Sequence, residues 1–293
     1  MIGITLINAN LVKELRTKTG VGMMDCKKAL KECNGDLVKA SEWLRKKGLA
    51  TAGKKSAREA KQGVIAIHIE DNEAVIIELN SETDFVSKNE KFLDLADNIA
   101  KLALKFYNGN LADFLQLKYL DKNDTVEQEI AGNIAIIGEN ISLKRIKKIT
   151  VKEGIIAHYI HNKVTDTIGH IGVLLSLDSA VSKEKLQELG KQLAMHIAAV
   201  KPESLTINEL DSTFVEKEKK VLREQAKESG KPEQVIEKMI EGRMRKFYEQ
   251  VVFVEQPFII DGKTKVANVI KAVEKDSGNK ISLSSFARFA IGE

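Results

Sequence analysis

Two cysteines, three prolines and a single tryptophan are all that the 293-residue chain holds of those residue types. Cys26 and Cys33 fall in what reads as one helix, where ~1.5 Å per residue puts their Cα atoms roughly 10 Å apart, beyond disulfide reach. Their spacing fits no zinc pattern, so both read as packing residues of a protein kept in a reducing compartment. No stretch approaches the roughly 18 uninterrupted apolar residues of a membrane helix, so no membrane partner is expected. The first residues, MIGITLINANLVKELR, lack a basic segment followed by an apolar one and a small-residue cleavage site, and they are not Arg-rich. A cytoplasmic location is therefore expected. The net charge of +4 is mild for a nucleic-acid binder, for which a concentrated basic stripe matters more than the sum.

Catalytic constellations are missing as well. No phosphate-binding G-x-x-x-x-G-K-[ST] loop occurs; the nearest segment, PFIIDGKT, has Pro257 where the first glycine belongs. GHIGVL and GLATAG lack the dinucleotide-binding pattern, and there is no H-E-x-x-H, G-x-S-x-G or C-x-x-C. Of five histidines (His68, His158, His161, His170 and His196), His158 and His161 lie near one another on or beside a strand, without a nearby carboxylate or cysteine to complete a metal site. His161 is placed at a hairpin turn and His196 on a helix packed against a sheet. Neither an enzyme activity nor a resident metal or cofactor is expected.

What is present is a soluble composition, 43% hydrophobic and 30% charged, with strong periodicity. Residues 8–48 predict three helices. Asn8 or Asn10 caps the first, Gly20 and Gly22 form a turn, Gly35 ends the second, Asp36 caps the third, and Gly48 ends it. Leu11, Leu15, Ala29, Leu30, Leu37, Ala40, Trp43 and Leu44 recur at helical spacing and form the expected core. Residues 45–61, RKKGLATAGKKSAREAK, read as a basic linker or exposed helix; an RNA-binding arm here and at 144–152 is the rival reading, but no aromatic is available there to stack on bases.

An internal duplication follows. The segment from Gly63, GVIAIHIEDNEAVIIELNSETDFVSKNEKFL, and that from Gly154, GIIAHYIHNKVTDTIGHIGVLLSLDSAVSKEKL, each read as strand, turn, strand, polar connection and amphipathic helix. The second has the longer turn. The predicted fold is α+β: an N-terminal helical domain at 1–52, a first β-hairpin-plus-helix subdomain at 53–152, and a second at 153–293. An antiparallel helical hairpin is inserted at about 203–242. Gly230 is the expected cap of the hairpin's first helix, and Pro232 opens the second.

Aligning the shared Val-Ser-Lys sets Asp84 opposite Ser179 and Phe85 opposite Ala180, so the strand-to-helix connection does not itself require Asp-Phe. Two readings of Phe85 stand. It folds back on the core as a hydrophobic staple, with Ser87 or Asn89 capping the next helix, or it is an exposed anchor for a partner.

TGVGMMDCKKAL at 19–30, LNSETDFVSKNEKF at 79–92, IGENI at 137–141, AMHIAAVKPE at 194–203 and IEKMIEGRMRKF at 236–247 resemble, in order, the elongation factor Ts family. The resemblance implies a guanine-nucleotide exchange factor for elongation factor Tu, with no direct nucleic-acid partner. It implies a UBA-like N-terminal domain that docks on the GTPase, with Leu15, Val21, Met23 and Met24 as partner-binding residues. Thr83, Asp84, Phe85 and Val86 correspond to a loop inserted near the partner's Mg²⁺ site. Ile137, Gly138, Glu139 and His161 correspond to further partner contacts, although the residue after His161 is not the glycine that the family pattern carries. The hairpin corresponds to a coiled coil, and self-association through it stays open.

Overall fold

The computed structural model describes residues 7–228 and 232–293. Gly230 lies outside the described residues. Three helices open the chain: α1 (Ala9–Thr19), α2 (Met23–Glu32) and α3 (Leu37–Lys55). Asn8 caps α1 by accepting from the Leu11 amide at 2.8 Å, and Asp36 caps α3 by accepting from the Val38 and Lys39 amides at 3.0 and 3.1 Å. Val12, Leu15, Cys26, Ala29, Leu30, Ala40 and Leu44 form the core of this unit. Trp43 is only partly buried against it, with the Lys47 ammonium over its ring.

The third helix does not stop at Gly48. It continues to Lys55 because Gly48 faces a neighbour, α6 (Val126–Ile137): a Cβ there would stand 3.2 Å from Ala135 Cβ. Glycine costs about 1 kcal/mol in a helix interior, and the close packing it permits offsets that penalty. Ala52, one turn on, is buried in the core of the first sheet. Most of the expected linker is therefore a docked helix.

Six antiparallel strands follow: β1 (Gln62–Glu70), β2 (Glu73–Ser81), β3 (Ile141–Thr150), β4 (Gly154–Lys163), β5 (Ile168–Asp178) and β6 (Ser282–Ala290). The order is β3-β2-β1-β5-β4, and β6 pairs with β5 beside the short β1–β5 junction at Ile65–Gly169 and Ala66–Ile168. The β1–β3 layer carries α4 (Glu90–Phe106), the short α5 (Leu111–Leu115) and α6 on its outer face. The β4–β6 layer carries α7 (Lys183–Val200) and α10 (Val266–Ser277). The inner faces pack on each other through Ile65, Ile67, Ile76, Ile149, Ile160 and Leu174. This second core explains why β1 and β2 read as apolar runs rather than alternating strands: both of their faces are buried.

The duplication extends further than its sequence signal. In each half an α-helix ends at a left-handed glycine, Gly138 or Gly278, and leads through Ile-Ser-Leu into a strand that pairs with the preceding hairpin. Both pairings carry an irregularity at the same place, between Glu78 and Leu79 and between Ser176 and Leu177. Gly63 and Gly154 adopt φ of 132° and 124°, where a Cβ would lie 2.2 Å from the Leu79 carbonyl oxygen or 2.1 Å from that of Leu177. Only glycine fits there.

Between α7 and α10 the chain runs out and back through α8 (Ser212–Lys227) and α9 (Glu233–Val251), which bury Leu222, Ala226, Ile236, Ile240 and Met244 between them. Pairing of Phe214 with Phe247 and of Arg223 with Glu237 fixes them antiparallel. Among the described residues no helix is long and apolar enough to cross a membrane.

Candidate partner-binding surface

Strand β2 ends at Ser81, and α4 begins at Glu90 with Asn89 as its cap, accepting from the Lys91 amide at 3.0 Å. The connection carries a short turn in which Ser81 Oγ donates to the Thr83 carbonyl (2.9 Å) and Ser87 Oγ donates to the Asp84 carbonyl (2.6 Å). Phe85 has unstrained helical dihedrals, and its side chain is 82% exposed. The staple reading of Phe85 is thus overturned. The residue that folds back is Val86, which is buried with Phe92 and Leu95 in the first core. Val86, expected on the partner-binding loop, is by that burial a packing residue, and only Thr83, Asp84 and Phe85 remain at the surface. Asp84 is exposed, and no hydrogen bond or ion pair holds its carboxylate among the described residues.

Strand register corrects the alignment of the repeats. Leu79 and Leu177 hold equivalent positions, each opposite the leucine of Ile-Ser-Leu, so Ser81 corresponds to Ser179. Between these serines and the shared Val-Ser-Lys the second half has only Ala180. The first half has Glu82, Thr83, Asp84 and Phe85. The first half therefore carries three residues more than the second between the serine and Val-Ser-Lys, so Asp84 does not face Ser179, and Phe85 lies within the longer, inserted connection.

The insertion is anchored by the corner between α6 and β3. Glu139 accepts from the Thr83 amide at 2.9 Å and from the Thr83 hydroxyl at 2.6 Å. Glu82 Oε1 accepts from the Asn140 amide at 2.6 Å, and its other oxygen lies 3.5 Å from Arg58. Asn140 Nδ2 donates to the Arg58 carbonyl at 2.7 Å, and Lys55 donates to the Gly138 carbonyl. The Ile137–Glu139 segment thus meets the Thr83–Phe85 loop, a proximity invisible in the sequence. Ile136 and Ile137 line a shallow recess with Phe85, Val86, Asn89 and Lys91.

The N-terminal helices reach the same corner. The turn at Gly20 faces Lys91 and Ile136. Just beyond it, Met23 and Met24 are 55% and 77% exposed, and Val21 is partly buried against the helical core. Leu15 is fully buried there. That burial removes Leu15 from the expected partner-binding set: it holds α1 in place and has no surface to offer.

His161 is not part of this corner. It lies on β4 opposite Ile171, ahead of the turn rather than in it, with its Nδ1 3.2 Å from the Tyr159 hydroxyl. Asn162 takes φ of 50°, a left-handed conformation that asparagine tolerates, in the place where glycine was expected. His161 borders a separate recess of about 710 Å³ with Tyr159, Met195, Ile259 and Ile260. The exposed Ile259–Ile260 pair was missed, although two isoleucines directly before the turn residues of PFIIDGKT were its signal. His158 and His161, three residues apart on one strand, point to opposite faces. Among the described residues no group of three or more His, Cys, Asp or Glu side chains is arranged to hold a metal ion.

His196 is buried on α7, which packs against the β4–β6 layer as expected, and its ring stacks on Phe258 and meets Phe253 edge-on. Its Nδ1 accepts from the Ile259 amide at 3.1 Å, which leaves Nε2 to donate to Gln256 Oε1 at 2.9 Å. Burial holds its pKa below the ordinary histidine value of 6.5.

Both basic tracts are engaged within the chain. In the first, Arg45 pairs with Asp124, Lys47 with Asp25, Arg58 with Glu82 and Lys61 with Glu59. In the second, Lys144 and Arg145 pair with Glu78, and Lys148 pairs with Glu73.

Two family models match the chain: Elongation factor TS over residues 82–293, and Elongation factor Ts, mitochondrial, N-terminal, over residues 4–52. Among similar curated proteins, Elongation factor Ts of Rhodospirillum centenum is 46% identical over 288 residues, covering 98% of this chain and 93% of the relative. That of Rhodospirillum rubrum is 47% identical with the same coverage. The protein of that name from Rickettsia felis is 47% identical over 98% of this chain and 92% of its own length. With the mixed α+β architecture and a matched segment that takes in Phe85 and its anchor, the chain belongs to the elongation factor Ts family.

Proposed function

We propose that this protein is a guanine-nucleotide exchange factor that binds elongation factor Tu in its GDP form and promotes GDP release by disturbing the Mg²⁺ and phosphate site. Family membership supports a role in translation elongation as partner and exchange factor of elongation factor Tu. The observation that carries the finer mechanism is the 82% exposed Phe85 ring, held on an insertion that the scaffold does without in its second half.

A P-loop GTPase holds GDP through backbone amides around the phosphates and through Mg²⁺ bridging protein and phosphate oxygens. Magnesium demands near-ideal octahedral geometry, so a small displacement of a ligand-bearing helix weakens the site. Phe85 acts as the wedge, since burying an aromatic of this size contributes about 1.5–3 kcal/mol. The unpaired carboxylate of Asp84 competes for hydrogen bonds that keep the partner's site closed. No covalent step is needed: the factor lowers nucleotide affinity, and nucleotide lowers factor affinity by the same ratio.

The remaining assignments follow from this reading. Residues 1–52 act as a UBA-like docking domain, with Met23 and Met24 as anchors and Val21 beside them. Residues 53–152 and 153–293 act as the two core subdomains, with Ile137, Gly138 and His161 as further contacts. The α8–α9 hairpin is a coiled-coil module whose exposed Val221 and Val235 are candidates for self-association. The site of action is the cytoplasm.

The test is release of fluorescent GDP from elongation factor Tu. Phe85→Ala is expected to lose about 2 kcal/mol of coupling, a slowing of roughly thirtyfold, with an unchanged melting curve. Full activity in the Phe85→Ala, Asp84→Ala double variant overturns the mechanism.

A further inference from the structure

Glu139 lies outside the insertion yet ties to it with both of its carboxylate oxygens. Its two oxygens accept from the amide and the hydroxyl of one residue, Thr83, at 2.9 and 2.6 Å. An ionised carboxylate accepts at both oxygens at once, whereas an amide side chain has a single acceptor oxygen. The bonds are charge-assisted, and so stronger than neutral ones.

The second half of the molecule supplies a comparison. There the residue after the helix-ending Gly278 is Asn279, whose side chain donates to the Ser277 carbonyl of its own helix end. The one-residue connection at Ala180 is closed instead by Ser179 Oγ donating to the Lys280 carbonyl at 2.6 Å. The two-oxygen grip occurs in the half that carries the insertion, and Asn279 makes no such reach in the half that lacks it. The grip is also answered from the loop side: Glu82 accepts from the Asn140 amide at 2.6 Å. The first two residues of the insertion are thus clamped, while the Asp84 and Phe85 side chains are exposed beyond the clamp and the Asp84 carbonyl is held from the other side by Ser87 Oγ.

We infer that Glu139 is a positioning residue: by gripping Thr83 it fixes the pose in which the insertion presents Phe85, and it thereby sets how fast a bound partner releases nucleotide. The inference rests on the exchange-factor reading above. Its physical basis is preorganisation: a wedge already held in its working pose pays no ordering cost on binding, and a misplacement of about 1 Å can cost as much as 10²-fold in rate.

The test uses the full-length chain and fluorescent GDP on elongation factor Tu, with the factor titrated to saturation. Glu139→Gln keeps the side-chain volume but removes the charge and one of the two acceptor oxygens, so the Thr83 hydroxyl keeps a tie only by turning to accept a weaker, neutral bond. It is expected to lower the saturating release rate roughly tenfold, to shift the half-saturating concentration less, and to speed hydrogen exchange at the Thr83 amide. Thr83→Val, which removes only the hydroxyl, is expected to move the same readouts in the same direction and serves if the first variant folds poorly. In a Phe85→Ala background Glu139→Gln is expected to add little, because the pose it sets no longer presents a ring. An equal fold-loss in both backgrounds marks Glu139 as an independent contact and overturns the inference, as does full activity of Glu139→Gln. If Phe85→Ala is slow while Glu139→Gln is fully active, positioning alone has failed. If Phe85→Ala is itself fully active, both readings fall.

Discussion

Glu78, fully buried on β2, places its Oε2 2.5 Å from Arg145 Nε on β3. Its other oxygen accepts from Lys144 at 3.1 Å and from Asn80 Nδ2 at 3.2 Å. In the second half the equivalent site is built from hydroxyls: Ser176 Oγ meets Ser284 Oγ at 2.7 Å and accepts from the Ser285 amide at 2.9 Å. Ser284 Oγ also donates to Asp178 Oδ2, so one backbone irregularity accommodates either a buried carboxylate between cations or a set of serine hydroxyls with a carboxylate at its edge.

That equivalence makes a stability prediction. Glu78→Ala leaves two cations facing a buried gap, and the expected loss is about 3 kcal/mol. This is the lower end for a broken buried pair, because Lys144 and Arg145 both keep contact with water. Replacing Glu78, Lys144 and Arg145 together with serine gives the first half the three hydroxyls of the second, with Asn80 where Asp178 stands, and is expected to recover most of the loss. Recovery stays incomplete because Arg145 also lies 4.1 Å over the Phe289 ring. Urea unfolding of the single and triple variants checks this, and a triple variant less stable than Glu78→Ala contradicts it.

His196 predicts a pH dependence. Its Nδ1 accepts from the Ile259 amide, so the folded state needs the imidazole neutral, and burial lowers its pKa below 6.5. In the unfolded chain the ring protonates near its ordinary value. Below that pH the unfolded state binds the extra proton, so this contribution to stability is complete above about pH 6.5 and is lost as the pH falls toward the depressed folded value. His196→Gln removes the titration. Its urea midpoint is expected to fall less than that of the unmodified chain between about pH 7 and pH 5. Parallel pH curves would exclude His196 as the source.

The fold was largely legible because its punctuation is local. Asn8, Asp36 and Gly35 act within a few residues of themselves, and the first strand–strand–helix pattern announces the second. What failed depends on distant partners. Gly48 looks like a helix end until Ala135 stands opposite it. Leu15 and Val86 look like members of interface motifs until the core claims them. The final strand does not read as a repeat of β3, because little beyond Ile-Ser-Leu survives: the helices before it share Val126 with Val266 and Ile130 with Ile270 and differ at the other positions. At the site, the residue types around Phe85 were readable, but Val-Ser-Lys alone could not say where the extra residues enter. Strand register decides that, and the Glu139–Thr83 tie spans a sequence separation over which no pattern extends.

The insertion itself makes the last prediction. The second half passes from Ser179 to Val-Ser-Lys through Ala180 alone, and there Ser182 already caps α7, whereas in the first half Val86–Lys88 form a turn ahead of the cap Asn89. Replacing Glu82–Phe85 with a single alanine gives the first half the spacing between serine and Val-Ser-Lys that the second half has. The ties lost are the Glu139–Thr83 bonds, the Ser81 and Ser87 hydroxyl bonds to the Thr83 and Asp84 carbonyls, the Glu82–Asn140 bond and the Arg58–Glu82 pair. Exposed pairs of this last kind contribute about 1 kcal/mol or less. Val86, Phe92 and the rest of the apolar core stay in place. The shortened chain is expected to unfold cooperatively, with its midpoint within several degrees of the unmodified protein's, and to retain docking on elongation factor Tu through Met23 and Met24 while accelerating GDP release little. Binding without exchange separates the docking helices from the wedge. A shortened chain that still drives full release would locate the exchange activity elsewhere on the surface, with the Ile259–Ile260 recess the next place to look.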